Sequence, residues 1–126
     1  MAMDFLRYSL GLFDARHYRA ASPDLRALPV PALFHFLVVG ALEGRDPHPL
    51  FSTSWYNQAN PDVADAGINP LVHYLQQGAA EGRDPHPDFS TRFYLERYPD
   101  ARAAGLNPLV HYLRCGRREG RLTNPP

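Results

Sequence analysis

The sequence predicts an all-α protein with three tandem repeats of about 38 residues, stacked like a solenoid behind an N-terminal capping helix. The first observation is that the segment 69–87 returns in related form one repeat upstream and one repeat downstream. The second is the constant spacing, since Phe13, Phe51 and Phe89 lie 38 residues apart. A fixed period of this size is typical of repeat architectures. No segment alternates polar and apolar residues with a period of two, so no β-strand is expected.

The repeats divide a single domain into four parts. Residues 1–12 are predicted to form the cap helix, and residues 13–50, 51–88 and 89–126 form repeats 1, 2 and 3. The central helix of repeat 1, residues 33–39, is apolar on nearly every side, which is typical of a helix that is covered on two faces. The cap helix is the expected cover, because the ends of helical stacks usually carry an atypical element.

The composition argues against several classes of function. Thirteen basic and thirteen acidic residues give a net charge of zero, so no nucleic-acid partner is expected. No apolar run approaches the ~20 residues that a transmembrane helix needs. The N-terminus lacks the features of a signal peptide, so a cytoplasmic location is expected. The single cysteine, Cys115, allows no intramolecular disulfide.

The charge is unevenly distributed between repeats. Repeat 2 carries one arginine and five acidic residues, a net charge of −4, whereas repeat 3 carries seven arginines and three acidic residues, a net charge of +4. The simplest explanation of this charge difference is that the two repeats expose solvated faces of different composition. The alternative is a homo-oligomer in which the two repeats of different molecules meet head to tail.

Each repeat is predicted to contain three short helices. In repeat 2, Ser52 is expected to cap the first helix, with Phe51 and Tyr56 at the spacing of a hydrophobic staple. Pro61 is expected to start the second helix, and Gly67 to end it in a left-handed conformation.

The third helix begins at an Asn-Pro pair and carries the predicted core stripe. With Leu71 as the angular reference, Tyr74, Leu75 and Gly78 fall on the same face of an α-helix. Gly78 is expected to end the helix, and residues 79–82 are expected to make one more turn. The proline-rich segment 83–87 that follows is expected to be an extended link to the next repeat.

The repeat consensus carries a resemblance to a known type of repeat. It reads F-S/D-x-x-x-Y, then N-P-L-V-H-Y-L-x-x-G-x-x-E-G-R-D-P-H-P, and it covers residues 13–121. It resembles tandem repeats found beside glycosyltransferase domains in large bacterial cell-surface polysaccharide proteins, and in some bacterial calcium-binding repeat proteins. The resemblance implies a non-catalytic accessory module. It does not imply transferase activity, because no nucleotide-sugar-binding region is present. Repeat 1 departs from the consensus at residues 29–32.

Three residue types recur in every repeat, and we assign them structural roles. They are the histidines His35, His73 and His111, the glutamates Glu43, Glu81 and Glu119, and the arginines Arg45, Arg83 and Arg121. The histidines are expected to lie off the core stripe and to bond backbone or a carboxylate of the adjacent repeat. Arg83 is expected to clamp Asp62 or Asp100, as an inter-repeat salt bridge or a loop clamp.

No catalytic, metal or cofactor site is predicted. The segments 46–49 and 84–87 each offer an aspartate and a histidine to a cation, but their prolines are explained by a link, and no calcium-binding loop motif is present. Cys115 follows His111 by one helical turn, a spacing at which a thiolate is activated in some enzymes. No third orienting group is evident, so catalysis is the weaker interpretation.

The predicted function is therefore an interaction or scaffold module with a protein or glycan partner. Trp55 and Phe93, beside the staple tyrosines, are the aromatic candidates for an exposed contact surface. Four arginines of repeat 3 form a candidate basic face for an acidic partner: Arg114, Arg117, Arg118 and Arg121.

Overall fold

A computed structural model describes residues 12–27 and 31–126. Every regular element within these ranges is helical, and the helices form three repeated units, which confirms the predicted fold class. The predicted cap helix 1–12 lies outside the described residues, apart from the buried Leu12. None of the helices in the described ranges is long and apolar enough to cross a membrane.

Each unit contains three short helical segments. Unit 1 has α1 (Ala15–Ala20), a 3₁₀ helix (Pro23–Ala27) and α2 (Ala32–His35). Unit 2 has α3 (Thr53–Ala59), α4 (Pro61–Ala66) and α5 (Pro70–His73). Unit 3 has α6 (Thr91–Arg97), α7 (Pro99–Ala104) and α8 (Pro108–His111). The 3₁₀ helix of unit 1 therefore stands where the other units have a second α-helix.

The first two helices of unit 2 begin and end as the sequence predicts. The Ser52 hydroxyl accepts the backbone N–H three residues later at 3.2 Å. The Phe51 and Tyr56 rings lie 5.4 Å apart between centroids, which confirms the staple. Pro61 is the first residue of α4, and Gly67 ends α4 with a φ of 70°, a region that favours glycine.

The third helix of each unit continues as one wider, π-helical turn. In unit 2 this turn covers Tyr74–Gly78, and it is matched by Phe36–Gly40 and Tyr112–Gly116. One further turn follows over residues 79–82 and closes at Gly82, where φ is 80° and the Arg83 N–H bonds to the Gly78 carbonyl at 2.9 Å. This pattern is a Schellman termination. The helical segment thus ends at Gly78 and one more turn follows it, which confirms the prediction.

An aromatic cluster forms the centre of each unit. In unit 2 the Tyr56 ring lies 5.4 Å from Phe51 and 6.0 Å from Tyr74, measured between centroids. The same cluster recurs in unit 3, with Phe89, Tyr94 and Tyr112, and in unit 1, with Phe13, Tyr18 and Phe36. Leu71 and Tyr74 of the predicted core stripe are fully buried. Each unit thus packs its own aromatic core, and the cores join into one hydrophobic cluster.

The predicted link 83–87 runs into a tight turn over residues 86–89, and the same turn follows unit 1's third helix over residues 48–51. The Phe51 N–H bonds to the His48 carbonyl, and the Phe89 N–H bonds to the His86 carbonyl, both at 3.0 Å. The His48 Nδ1 also accepts the Leu50 N–H at 2.9 Å. Each turn therefore brings the end of one unit close to the first helix of the next.

Candidate functional site

The recurrent histidines lie inside the units. His73 and His111 are each 6% exposed, so the prediction that they lie off the core stripe is wrong. The Nδ1 atom of His73 shares a hydrogen bond of 2.8 Å with the Tyr56 hydroxyl, and His111 makes the same bond to Tyr94 at 2.7 Å. In unit 1, the less buried His35 pairs with Tyr18 at 2.7 Å. The partner is thus a tyrosine of the same unit, and not the backbone or a neighbouring carboxylate.

The tyrosine hydroxyl also explains the glycine of the π-helical turn. A Cβ atom placed on Gly78 would overlap the Tyr56 hydroxyl, and a Cβ on Gly116 would overlap that of Tyr94. Burial raises the pKa of Tyr56 and raises that of Tyr94 to about 12, so both hydroxyls keep their protons at neutral pH. Tyrosine, histidine and glycine therefore form one interlocked group, and its repetition in every unit indicates a structural role.

The recurrent arginines close each unit on itself. Arg83, just after the third helix, reaches back to both carboxylate oxygens of Asp62 at the start of α4, each at 2.9 Å. Its Nε also lies 3.0 Å from Glu81. Arg45 pairs in the same way with Asp24 and Glu43 in unit 1. Asp62, Glu81 and Arg83 all belong to unit 2, so the inter-repeat form of the predicted salt bridge is wrong and the bridge lies within the unit.

Arg121 makes the corresponding clamp in unit 3. Its guanidinium lies 2.7 Å from Asp100 and 2.9 Å from Glu119, and 4.6 Å from the centre of the Tyr98 ring. These partners hold Arg121 in the fold, so it is not free to join the predicted basic contact face. In the equivalent clamp of unit 2, the bridge to Arg83 holds the pKa of Asp62 below its usual value.

Polar contacts between units are made by an aspartate and a threonine. Asp46 accepts the Thr53 N–H, and Asp84 accepts the Thr91 N–H, both at 2.9 Å. The last turn of one unit therefore caps the first helix of the next. At the second junction the buried Tyr74 hydroxyl bonds to the Thr91 hydroxyl at 2.9 Å.

We expect Thr91→Val to destabilise the protein by about 1–3 kcal/mol, because it leaves the buried Tyr74 hydroxyl without a partner. Adding Tyr74→Phe should recover part of this loss, since unit 1 carries Phe36 at the equivalent position. Urea denaturation of both single variants and the double variant measures the coupling free energy. Additive losses would show that the two hydroxyls do not interact.

A groove opens on the surface at each junction between units. The first junction groove is lined by Leu37, Val38, Ala41, Leu42, Asn57, Ala64, Gly67, Ile68, Asn69 and Pro70. The second junction groove is lined by Leu75, Ala79, Ala80, Leu95, Arg102, Gly105, Leu106, Asn107 and Pro108. Each has a volume of about 270 Å³. Every residue of the second groove lies 38 positions after a residue of the first, so the two grooves are equivalent surfaces.

These grooves are the surface that sequence reasoning missed. In each, the end of one unit's third helix faces the turn that leads into the third helix of the next unit. The signal was present in the sequence, because Leu37 and Ala41 recur as Leu75 and Ala79 without a change of residue. The repeat period alone does not distinguish a residue that recurs on the surface from one that recurs in the core.

One amide atom beside each groove has no hydrogen-bond partner within the described residues. These atoms are the Oδ1 of Asn57 in the first groove and the Nδ2 of Asn107 in the second, and both are inaccessible to solvent. The Asn107 Oδ1 already accepts two backbone N–H groups at the start of α8. An unpaired buried amide group costs free energy, but a ligand in the groove cannot contact an atom that solvent does not reach.

The predicted contact residues are spread over different surroundings. Trp55 and Phe93 are half-buried, whereas Arg114, Arg117 and Arg118 are exposed on unit 3. The Arg117 guanidinium lies 5.7 Å from the centre of the Tyr112 ring. The structure does not bring these residues into one cluster with the junction grooves.

The residues considered for catalysis and for cation binding do not form an assembled site within the described part of the chain. Cys115 is exposed, while the His111 Nδ1 is occupied by Tyr94 inside unit 3. Asp46 and Asp84, the candidate cation ligands, each accept a hydrogen bond from a backbone N–H. Within residues 12–27 and 31–126, no three histidine, cysteine, aspartate or glutamate side chains come together to hold a metal ion.

The fold and its repeated contacts define an α-helical tandem-repeat module with equivalent grooves at its two unit junctions. Comparisons with protein-family models, curated proteins and solved structures find no match to this chain.

Proposed function

We propose that this chain is a non-catalytic interaction module that binds a partner along its two junction grooves. The observation that carries the proposal is the recurrence of one groove at both junctions, built from residues 38 positions apart. Repeat proteins commonly use such repeated surfaces to bind extended partners. Open apolar grooves with a few polar positions suit a partner that supplies apolar side chains and hydrogen bonds.

The surface around the first junction groove is unusually apolar. Phe34, Val38 and Leu42 are 58%, 53% and 84% exposed. They follow one another at intervals of four residues, so they share one side of the third helix and of the turn that follows it. Ile68 adds to the same surface from unit 2. Contiguous exposed apolar residues are typical of a surface that binds a protein or a membrane.

We further propose that the module serves bacterial glycosyltransferase or surface-polysaccharide machinery. The support is the repeat consensus, above all the segment H-Y-L-x-x-G-x-x-E-G-R, which carries the resemblance to repeats found beside glycosyltransferase domains. In this setting the module holds a partner in place and has no turnover of its own.

We expect Leu42→Asp to weaken partner binding at least about tenfold, because it places a charge where an apolar side chain is buried on binding. The probe is a library of random linear peptides displayed on phage, selected on the intact chain. Fluorescence anisotropy with the enriched peptides then measures affinity for each variant. Leu122→Asp is the matched control, since Leu122 is also exposed and lies outside both grooves.

These binding measurements, a glycan array and a turnover assay together distinguish this function from its alternatives. Equal binding by the Leu42→Asp and Leu122→Asp variants would place the contact elsewhere. Failure to enrich any peptide, together with binding to a glycan array, would favour the glycan-binding alternative. Turnover of nucleotide-activated sugars by the purified chain would overturn the non-catalytic assignment.

Head-to-tail self-association stays the second candidate, supported by net charges of −4 on repeat 2 and +4 on repeat 3. Direct continuation of the stack from one molecule to the next has less support. Ala15 occupies in unit 1 the position at which Thr53 and Thr91 donate to an aspartate of the preceding unit. Leu122 occupies in unit 3 the position from which Asp84 accepts such a bond. Light scattering at low and high salt tests this candidate, because a mass that is monomeric at both contradicts it.

A further inference from the structure

The further inference concerns the chemistry of the partner and rests on the proposed function. We propose that the grooves bind one polypeptide segment with an apolar end and an acidic end. The apolar end enters the first junction groove, and the acidic end lies over the second junction groove, where it pairs with Arg92 and Arg102.

The argument starts from how equivalent surface positions change along the stack. Val38 of unit 1 is replaced by glutamine in unit 2 and by Arg114 in unit 3. Leu42 is replaced by alanine and then by Arg118. Across the groove, Ala64 of the first junction becomes Arg102 at the second. From the first groove to the second, two aliphatic side chains are therefore lost and one arginine is gained, while Leu37 and Ala41 recur as Leu75 and Ala79.

The two arginines at the second junction, Arg92 and Arg102, have no carboxylate in direct contact within the described residues. Arg102 lines the second groove and also an adjoining space of about 160 Å³, which it shares with Arg92 and Glu81. Within the described residues neither Arg92 nor Arg102 makes an ion pair, whereas Glu81 is held by Arg83 at 3.0 Å. An unbalanced positive charge beside an apolar groove is complementary to a carboxylate on an apolar segment.

The lining and the shape of the grooves favour a polypeptide over a lipid surface. Asparagine residues line both grooves, Asn57 and Asn69 in the first and Asn107 in the second. A peptide backbone supplies both an N–H and a C=O group at every non-proline residue. The acyl chains of a membrane supply neither group, and the grooves are concave where a membrane surface would need a flat or convex face.

The test uses the same displayed peptides and examines their composition and their dependence on arginine. We expect the enriched peptides to carry aliphatic or aromatic residues at one end and aspartate or glutamate at the other. The double variant Arg92→Ala/Arg102→Ala should bind them about tenfold more weakly, which corresponds to two partly exposed charge pairs. Arg16→Ala/Arg97→Ala is the matched control, because it removes the same charge from exposed positions outside both grooves and should bind normally. High salt should weaken wild-type binding more than binding by the Arg92/Arg102 variant.

Each contrary outcome identifies what has failed. Peptides that lack acidic residues, or binding that depends on Leu42 but not on the two arginines, would overturn the acidic end and leave the groove function in place. No enrichment of any peptide would overturn both proposals. Binding to anionic phospholipid vesicles without peptide binding would assign the surface to a membrane. A dimer that Leu42→Asp abolishes would assign it to a second copy of the chain. Peptide binding that appears only after removal of residues 1–11 would assign the groove to the chain's own N-terminal segment.

Discussion

Replacing Gly78 with alanine is expected to destabilise the protein by about 3 kcal/mol or more, which is a large fraction of the stability of a small domain. Within a helix this substitution is ordinarily favourable by about 1 kcal/mol, because alanine has the higher helix propensity. Here the new Cβ would overlap the Tyr56 hydroxyl. Relief requires the tyrosine to move, and such a movement breaks its 2.8 Å bond to His73. Urea denaturation of the purified variant measures the loss.

Two further variants show whether the tyrosine hydroxyl is the cause. Adding Tyr56→Phe removes the overlapping oxygen, which leaves the His73 Nδ1 at 3.3 Å and the nearest ring carbon at 3.4 Å from the new Cβ. The double variant should therefore be more stable than Gly78→Ala alone, although it leaves His73 unpaired. Gly67→Ala is the control, because its Cβ meets no atom within 4 Å and only its φ of 70° is unfavourable. Its expected cost is about 1–2 kcal/mol. An equal or larger loss at Gly67 would contradict the proposed cause.

The sequence predicts local structure well because caps, staples and turns depend on neighbouring residues. Ser52, Pro61 and Gly67 each act over four residues or fewer, and each is found where the pattern places it. Contacts over longer separations are harder to assign. Since every unit repeats with the same period, a recurrent Arg83 is equally consistent with a partner in its own unit and with one in the next.

The buried histidine shows why the candidate site was only partly predictable. An angular position on one helix says which residues share a face, but it does not say how many faces are covered. The third helix of unit 2 buries Leu71, His73 and Tyr74 together, so its core face is wider than one stripe. The available signal was joint recurrence, because tyrosine precedes histidine by 17 residues in every unit. The junction grooves need the packing of two units, which no single repeat contains.

A second large effect is expected from acid, through His48. This side chain is 7% exposed, and burial lowers its pKa from 6.5 to about 4. Arg117 and His17 also lower it, while Asp14 acts in the opposite direction. The unfolded chain therefore binds a proton between pH 6.5 and pH 4 that the folded chain does not, and stability falls as the pH is lowered through this window. We expect a loss of about 2 kcal/mol between pH 7 and pH 5, which follows from a pKa difference of this size.

The control for this prediction is supplied by the chain itself, because Asn124 occupies in unit 3 the position that His48 occupies in unit 1. His48→Asn should remove most of the loss of stability between pH 7 and pH 5, measured by urea denaturation at each pH. His86→Asn should keep it, since the buried His48 is still present. Burial raises the pKa of Asp84, which acts in the opposite direction on stability, so only the difference between variants isolates His48. If His48→Asn and the parent lose the same stability on acidification, another group carries the acid sensitivity.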